Sequence, residues 1–169
     1  FDQIIYDPTD KILNNGKMIF IDTGSTYDGY FCDFDRNFAF GSVSDDVQKA
    51  YEASWNALTK GIEMAKPGNK CSDIYESMDN ILKDAGSVGN GVGRMGHGFG
   101  LQLTEPPSIM LNNDTVLEEG MTLAIEPVYE FKSGNILVQE EDIVITETGN
   151  EIITKRSPKE IPIIKWMMN

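Results

Sequence analysis

Five side chains carry the chemistry that this chain can do: Asp22, Asp33, His97, Glu126 and Glu140. Four are carboxylates and the fifth is the single histidine among 169 residues. Their local settings aim all five at one cavity. Acids crowded in an apolar pocket repel one another, and each pays a desolvation penalty of several kcal/mol. Bound cations remove that penalty, and two divalent ions sharing carboxylates can make a hydroxide nucleophile near neutral pH. One imidazole among four acids leans towards a transition metal, so the expected cofactor is a pair of divalent ions drawn from Mn, Co, Fe or Zn.

Local rules place the first two acids. Residues 17–40 read KMIFIDTGSTYDGYFCDFDRNFAF, two β-rich runs around Asp28-Gly29. That dipeptide is a strong two-residue hairpin signal. With it as the turn, Tyr27 faces Tyr30, Gly24 faces Asp33 and Asp22 faces Asp35. Side chains alternate with period two, so 22, 24, 33 and 35 share one face. Asp22 and Asp33 become diagonal neighbours, roughly 7–8 Å apart at the backbone.

A second turn places the glutamates. Residues 121–146 read MTLAIEPVYEFKSGNILVQEEDIVIT. A three-residue loop, Lys132-Ser133-Gly134, puts glycine at the left-handed position such loops require. Phe131 then faces Asn135, and Glu126 faces Glu140; a slip of one residue would select Glu141 instead. His97 stands in Met95-Gly96-His97-Gly98-Phe99-Gly100, where flanking glycines let the backbone come close to the site. An isolated Asp beside a turn is commonly solvated, and a lone His is commonly structural. Glu126, set between Ile125 and Pro127 in an apolar run, is harder to explain that way.

The elements between the two halves of the site are helical. Ser44 reads as an N-cap for DDVQKAYEASWNALTKGIEMAK, with acids in the first turn and apolar positions 47, 51, 55, 58 and 62. Pro67-Gly68 ends it. Ser72 reads as the cap of DIYESMDNILKDA, whose apolar face is 74, 78, 81, 82 and 85, and Gly86 stops it. Trp55 and Met78 are expected in the core. The glycine-rich stretch 86–100 lacks the Lys-Ser/Thr ending of a phosphate loop and precedes no helix, so nucleotide binding is rejected. The tail TKRSPKEIPIIKW, with two prolines, is expected to run irregularly over the surface.

Net charge −13 and a pI near 4.4 argue against nucleic acid or an anionic membrane as partner. Hydrophobic residues make up 40% and mean hydropathy is −0.29. No apolar run is long enough for a membrane span. The length suits one domain, residues 1–169, with a substantial core. Cys32 and Cys71 show no metal spacing and make no disulfide framework, which favours a cytoplasmic setting; Cys32 reads as a small core residue.

The segments IDTGSTYDGYFCDFDR, GHGFGLQLTEPP, EEGMTLAIEP and VQEEDIVITETGNEIIT occur in that order. Together they resemble the pita-bread metalloenzymes: methionine aminopeptidase, aminopeptidase P, prolidase and creatinase. The likeness is greatest to the Xaa-Pro peptidase-like members. It implies an α+β pita-bread fold, an antiparallel sheet with helices packed on one face. It also implies a dinuclear centre held by Asp22, Asp33, His97, Glu126 and Glu140, with Asp33 and Glu140 bridging. The implied activity is Xaa-Pro aminopeptidase- or dipeptidase-like cleavage of a C–N bond by a metal-bridged hydroxide, with Glu126 as proton acceptor. Arg36 and Asp35 are expected to steady the ligands from behind, although Asp35 shares the metal face and could be a further ligand.

Two departures bear on substrate. The peptidases carry a second histidine seven residues after the metal-binding one, where this chain has Thr104, and another upstream of the first acid, where this chain has none. Thr104 is expected to contact substrate, but a hydroxyl carries no charge and relays no proton near neutral pH. Losing such a stabiliser costs about 3–4 kcal/mol in a barrier. A creatinase-like hydrolase or lyase acting on a small zwitterion is therefore the alternative, and a non-catalytic binding module is a third reading. The family's catalytic domain opens with a helix-rich segment ahead of the first metal-bearing strand, whereas residue 1 here is Phe and stands just before it. The chain is thus expected to be a C-terminal fragment, incomplete at the N-terminus, whose exposed apolar surface could favour a homodimer.

Overall fold

The structure is a computed structural model that describes residues 10–89 and 91–165. Two long strands, β1 (Lys17–Tyr27) and β2 (Tyr30–Phe40), form the opening hairpin. Two helices follow, α1 (Asp45–Met64) and α2 (Cys71–Asp84). Eight short strands complete the order: β3 (Gly96–Gly98), β4 (Glu105–Ser108), β5 (Thr122–Ile125), β6 (Val128–Glu130), β7 (Ile136–Val138), β8 (Glu141–Thr146), β9 (Gly149–Ile152) and β10 (Ile163–Ile164). They make a three-stranded sheet β1-β2-β10, a five-stranded sheet β4-β3-β5-β8-β9 and a two-stranded ribbon β6-β7.

Both hairpins take the expected register. Asp28 (φ 52°) and Gly29 (φ 86°) are both left-handed, as a type I′ turn requires. Tyr27 pairs with Tyr30, Gly24 with Asp33 and Asp22 with Asp35. In the second hairpin the Phe131 amide donates to Asn135 O (2.9 Å), and Val128 pairs with Val138. The same register resumes beyond the bend at Pro127, where Ile125 pairs with Glu141. Glu126 and Glu140 are thus opposite one another across the break.

The core lies between the helices and one face of the five-stranded sheet. Leu123 and Ile125 of β5 and Ile143 and Ile145 of β8 are buried against Ala57, Leu58 and Ile62 of α1 and Ile74, Met78 and Leu82 of α2. Gly61 lets α1 sit close: a Cβ there would stand 2.4 Å from Met78 Sδ and 3.0 Å from Ile125 Cγ2. With the helix side so defined, alternation turns Ala124 and Asp142 to the opposite face. Among the described residues, no helix is long and apolar enough to cross a membrane.

Several expectations are corrected. Ser44 caps α1 by accepting from the Val47 amide, but Ser72 lies inside α2, whose N-cap is Lys70 without a side-chain bond. Of the apolar positions expected along α1, Tyr51, Leu58 and Ile62 are buried and Val47 and Trp55 only partly so, while Ala50, Ala53 and Ala57 join the buried stripe as small residues that allow close packing. Trp55 is only half-buried; its indole N–H donates to Ser157 O (3.3 Å) and its ring carries the Arg156 guanidinium at 4.4 Å. Met78 is fully buried, as expected. Cys32 is partly exposed and lines an open hollow with Tyr27, Tyr30 and Phe31 at the hairpin tip. The tail is not merely irregular: Ile163–Ile164 pairs with β2 in parallel, so the three-stranded sheet is mixed, whereas the five-stranded sheet and the ribbon are antiparallel as expected, and Ser157 and Ile161 are buried. Trp166, the end of that tail segment, falls outside the described residues.

Candidate metal centre

The front faces of the two hairpins meet. The Asp33 amide of β2 donates to Asp142 Oδ2 of β8 (3.0 Å), which docks one acid-bearing strand on the other. His97 is held in β3, paired with Ala124 of β5, and is buried. Glycine is required on either side of it. A Cβ on Gly96 (φ 150°) would lie 2.5 Å from Ala124 O, and one on Gly98 2.5 Å from Pro106 O.

His97 Nδ1 lies 2.9 Å from Gly98 O. A carbonyl only accepts, so Nδ1 carries the proton and the Nε2 lone pair points into the cluster. Nε2 is 3.7 Å from Asp33 Oδ2 and 3.8 Å from Glu126 Oε1. Burial lowers the imidazole pKa, which keeps it neutral and available as a ligand. Two groups of ligand atoms lie within 4.8 Å of one another: Asp33, His97 and Glu140, and Asp22, Asp35 and Glu140. Glu140 belongs to both.

Six carboxyls here are pushed above their ordinary range. Asp33 rises to about 6, chiefly by burial and then by the charge of Asp22. Glu126 rises to about 7, by burial against the pull of Arg94. Asp142 rises to about 7 by burial. Asp22 rises by burial, with His97 opposing. Asp35 and Glu140 rise well above the carboxylate range through burial and then through their acidic neighbours. The buried atoms Asp35 Oδ1 and Glu140 Oε1 have no hydrogen-bond partner among the described residues. Buried acceptors without donors are costly, and an acceptor imidazole facing them adds to the cost. A divalent pair fits this donor set: it would satisfy the orphaned oxygens and the Nε2 lone pair together.

Behind the acids stands a strap. Arg36 projects from the back of β2 and donates through Nη1 to the carbonyls of Asp35 (2.6 Å) and Glu140 (3.2 Å). Its Nη2 pairs with Glu141 (3.1 Å). Fully buried Glu141 also accepts from the Ser157 amide (2.6 Å) and hydroxyl (2.8 Å) and from Thr154. Arg36 is therefore behind the cluster, whereas the Asp35 side chain is inside it. Thr104 is exposed in the bend ahead of β4. Its neighbour Leu103 comes within 3.8 Å of where a Cβ on Gly24 would stand, so the bend lies over the first hairpin.

Two participants escaped the sequence reading. Asp142 was legible, since it alternates with Glu140 onto the same face. Arg94, whose Nε lies 3.3 Å from Glu126 Oε1, left no periodic signal in its glycine-rich stretch.

The fold is that of the pita-bread metallopeptidase superfamily, and residues 2–147 match the description "Metallopeptidase family M24". The chain belongs to that family, on its Xaa-Pro peptidase-like side. It is 36% identical over 160 residues to the uncharacterized peptidase YqhT of Bacillus subtilis, covering 92% of this chain and 44% of that protein. It is 34% identical over 148 residues to a Xaa-Pro dipeptidase of Pyrococcus furiosus, covering 87% and 42%. Among solved structures it is similar to dipeptidase PepE of Mycobacterium ulcerans, with a TM-score of 0.87 at 31% identity over 94% of this chain and 43% of that one. The chain thus spans less than half the length of these relatives.

Proposed function

We propose that this chain carries the dinuclear centre of a hydrolase that cleaves the C–N bond of Xaa-Pro dipeptides or related small peptides. Asp22, Asp33, His97, Glu126 and Glu140 would hold two divalent ions, with Asp33 and Glu140 shared. The observation that carries the reading is the set of buried, unpartnered carboxylate oxygens around a neutral imidazole lone pair. Relatives described as Xaa-Pro dipeptidases supply the reaction class.

When bound, the ions would polarise the scissile carbonyl and make water a better nucleophile at neutral pH. Glu126, paired with Arg94 and 3.8 Å from His97 Nε2, is placed to exchange a proton with the attacking water. It takes one from the attacking water and returns it to the leaving amine as the C–N bond breaks. Arg94, paired with Glu126, holds that carboxylate in place and stabilises its charged form. Arg36 keeps the backbones of Asp35 and Glu140 at a fixed spacing. Thr104 would offer a hydroxyl to the substrate from the bend over the first hairpin.

Thr104 favours one second reading, a small zwitterion in place of a peptide, because a neutral hydroxyl is poorly suited to steadying a charged tetrahedral intermediate. The two cysteines are free thiols, in keeping with a reducing cytoplasm. The test is turnover of Xaa-Pro dipeptides against small betaines by the metal-loaded full-length protein. Release of proline with loss of activity in Glu126→Gln supports the first reading. Turnover confined to betaines selects the second, and metal-loaded protein inert to both overturns each.

A further inference from the structure

We propose that Asp35 is a metal ligand, completing with Asp22 and Glu140 an oxygen-only cation position beside the imidazole-bearing position of Asp33, His97 and Glu140. The two positions would then select different ions. This rests on the dinuclear reading above and extends it to a residue outside the five-ligand set.

Three observations carry it. One ligand atom from each of Asp22, Asp35 and Glu140 lies within 4.8 Å of the others. Asp35 is 2% exposed, and its Oδ1 is buried without a hydrogen-bond partner among the described residues. Arg36, the adjacent cation, commits its guanidinium to the Asp35 carbonyl and to Glu141 rather than to the Asp35 carboxylate. The register makes this placement unavoidable: Asp35 pairs directly with Asp22, and the strap draws the Asp35 and Glu140 backbones to one guanidinium.

The donor chemistry differs between the positions. Three carboxylates and no nitrogen suit a hard ion such as Mg, Ca or Mn. An imidazole with two carboxylates suits Zn, Co or Fe as well as Mn.

Calorimetric titration of the stripped full-length protein with Mn²⁺ alone tests the assignment. Wild type should bind two ions. Asp35→Asn, which keeps shape and removes charge, should weaken one of them about a hundredfold, at the upper end of what a supporting residue alone would cost, and the other by less than about threefold. His97→Ala should reverse that pattern. Added Mg²⁺ should displace one Mn²⁺ from wild type and none from Asp35→Asn. Two undiminished sites in Asp35→Asn would overturn the assignment, and so would equal weakening of both, which would mean that Asp35 acts only through its field. Fewer than two ions on wild type would instead overturn the dinuclear reading itself. Urea midpoints check folding, and Asp35→Ser serves as a second variant should Asp35→Asn not fold.

Discussion

Neighbouring glutamates with opposite duties show how much one position along a strand decides. Glu140 faces the acids and shares both ligand groups, while Glu141 faces back and anchors Arg36, Thr154 and Ser157. Glu140→Gln should abolish tight Mn²⁺ binding with little loss of fold. Glu141→Gln should do the reverse, lowering stability by about 3 kcal/mol in urea denaturation, because it leaves a partly buried guanidinium without its countercharge. Titration gives a second test. An acid whose pKa is raised on folding keeps its proton in the folded state after the unfolded state has shed it, so stability falls as pH climbs between the two values. For Glu126, that window runs from 4.5 to about 7, and Asp33 and Asp142 add to it with values of about 6 and about 7. Metal-free protein should therefore lose stability between pH 5 and 7.5, by about 3 kcal/mol from Glu126 alone. A urea midpoint that stays flat over that range would contradict the burial described for these groups.

At the scale of elements, the hairpins were legible and the helix faces only partly so. Asp28-Gly29 and the Lys132–Gly134 loop specify turns whose geometry dictates every pairing downstream, which is why Asp22, Asp33, Glu126 and Glu140 could be placed from local rules. The helix stripe was misread at Trp55 because alanines and Gly61, which hydropathy counts as weak, do the closest packing. Ser157 and Thr154 were invisible, since nothing local announces that a proline-bearing tail folds back to hold a buried glutamate. Two glycines make this scale testable. A Cβ on Gly24 would stand 2.3 Å from Cys32 O in the partner strand, so Gly24→Ala should force β1 and β2 apart between Asp22 and Asp33. Mn²⁺ affinity should drop at least about tenfold, although residue 24 offers no ligand. Gly61→Val should lower stability by about 1–3 kcal/mol through overpacking against Met78 and Ile125, with ion affinity at 25 °C unchanged.

For the molecule as a whole, charge and cation binding belong together. The chain carries −13, and six of its acids converge in one place. Two divalent ions would offset about a third of that net charge, at the point of greatest repulsion. Binding to the folded form alone stabilises it by about 2.7 kcal/mol per site at a hundredfold excess over Kd. Saturating Mn²⁺ should thus raise the thermal midpoint by roughly 5–10 °C per site, and a chelator should reverse it. Equal midpoints with and without the ion would mean that the acids meet without binding it.

The turn at residues 132–134 has a consequence beyond joining two strands. Glu140 and Glu141 lie on the same strand and differ only in parity, so adding or deleting one residue in that turn would swap their places. The anchor would swing into the cavity and the cavity acid would be driven among the helices. Loop length here acts as a selector of chemical identity: a one-residue slip changes which glutamate faces the cavity, and a two-residue slip keeps the face but carries Glu140 roughly 6–7 Å along the strand from Glu126.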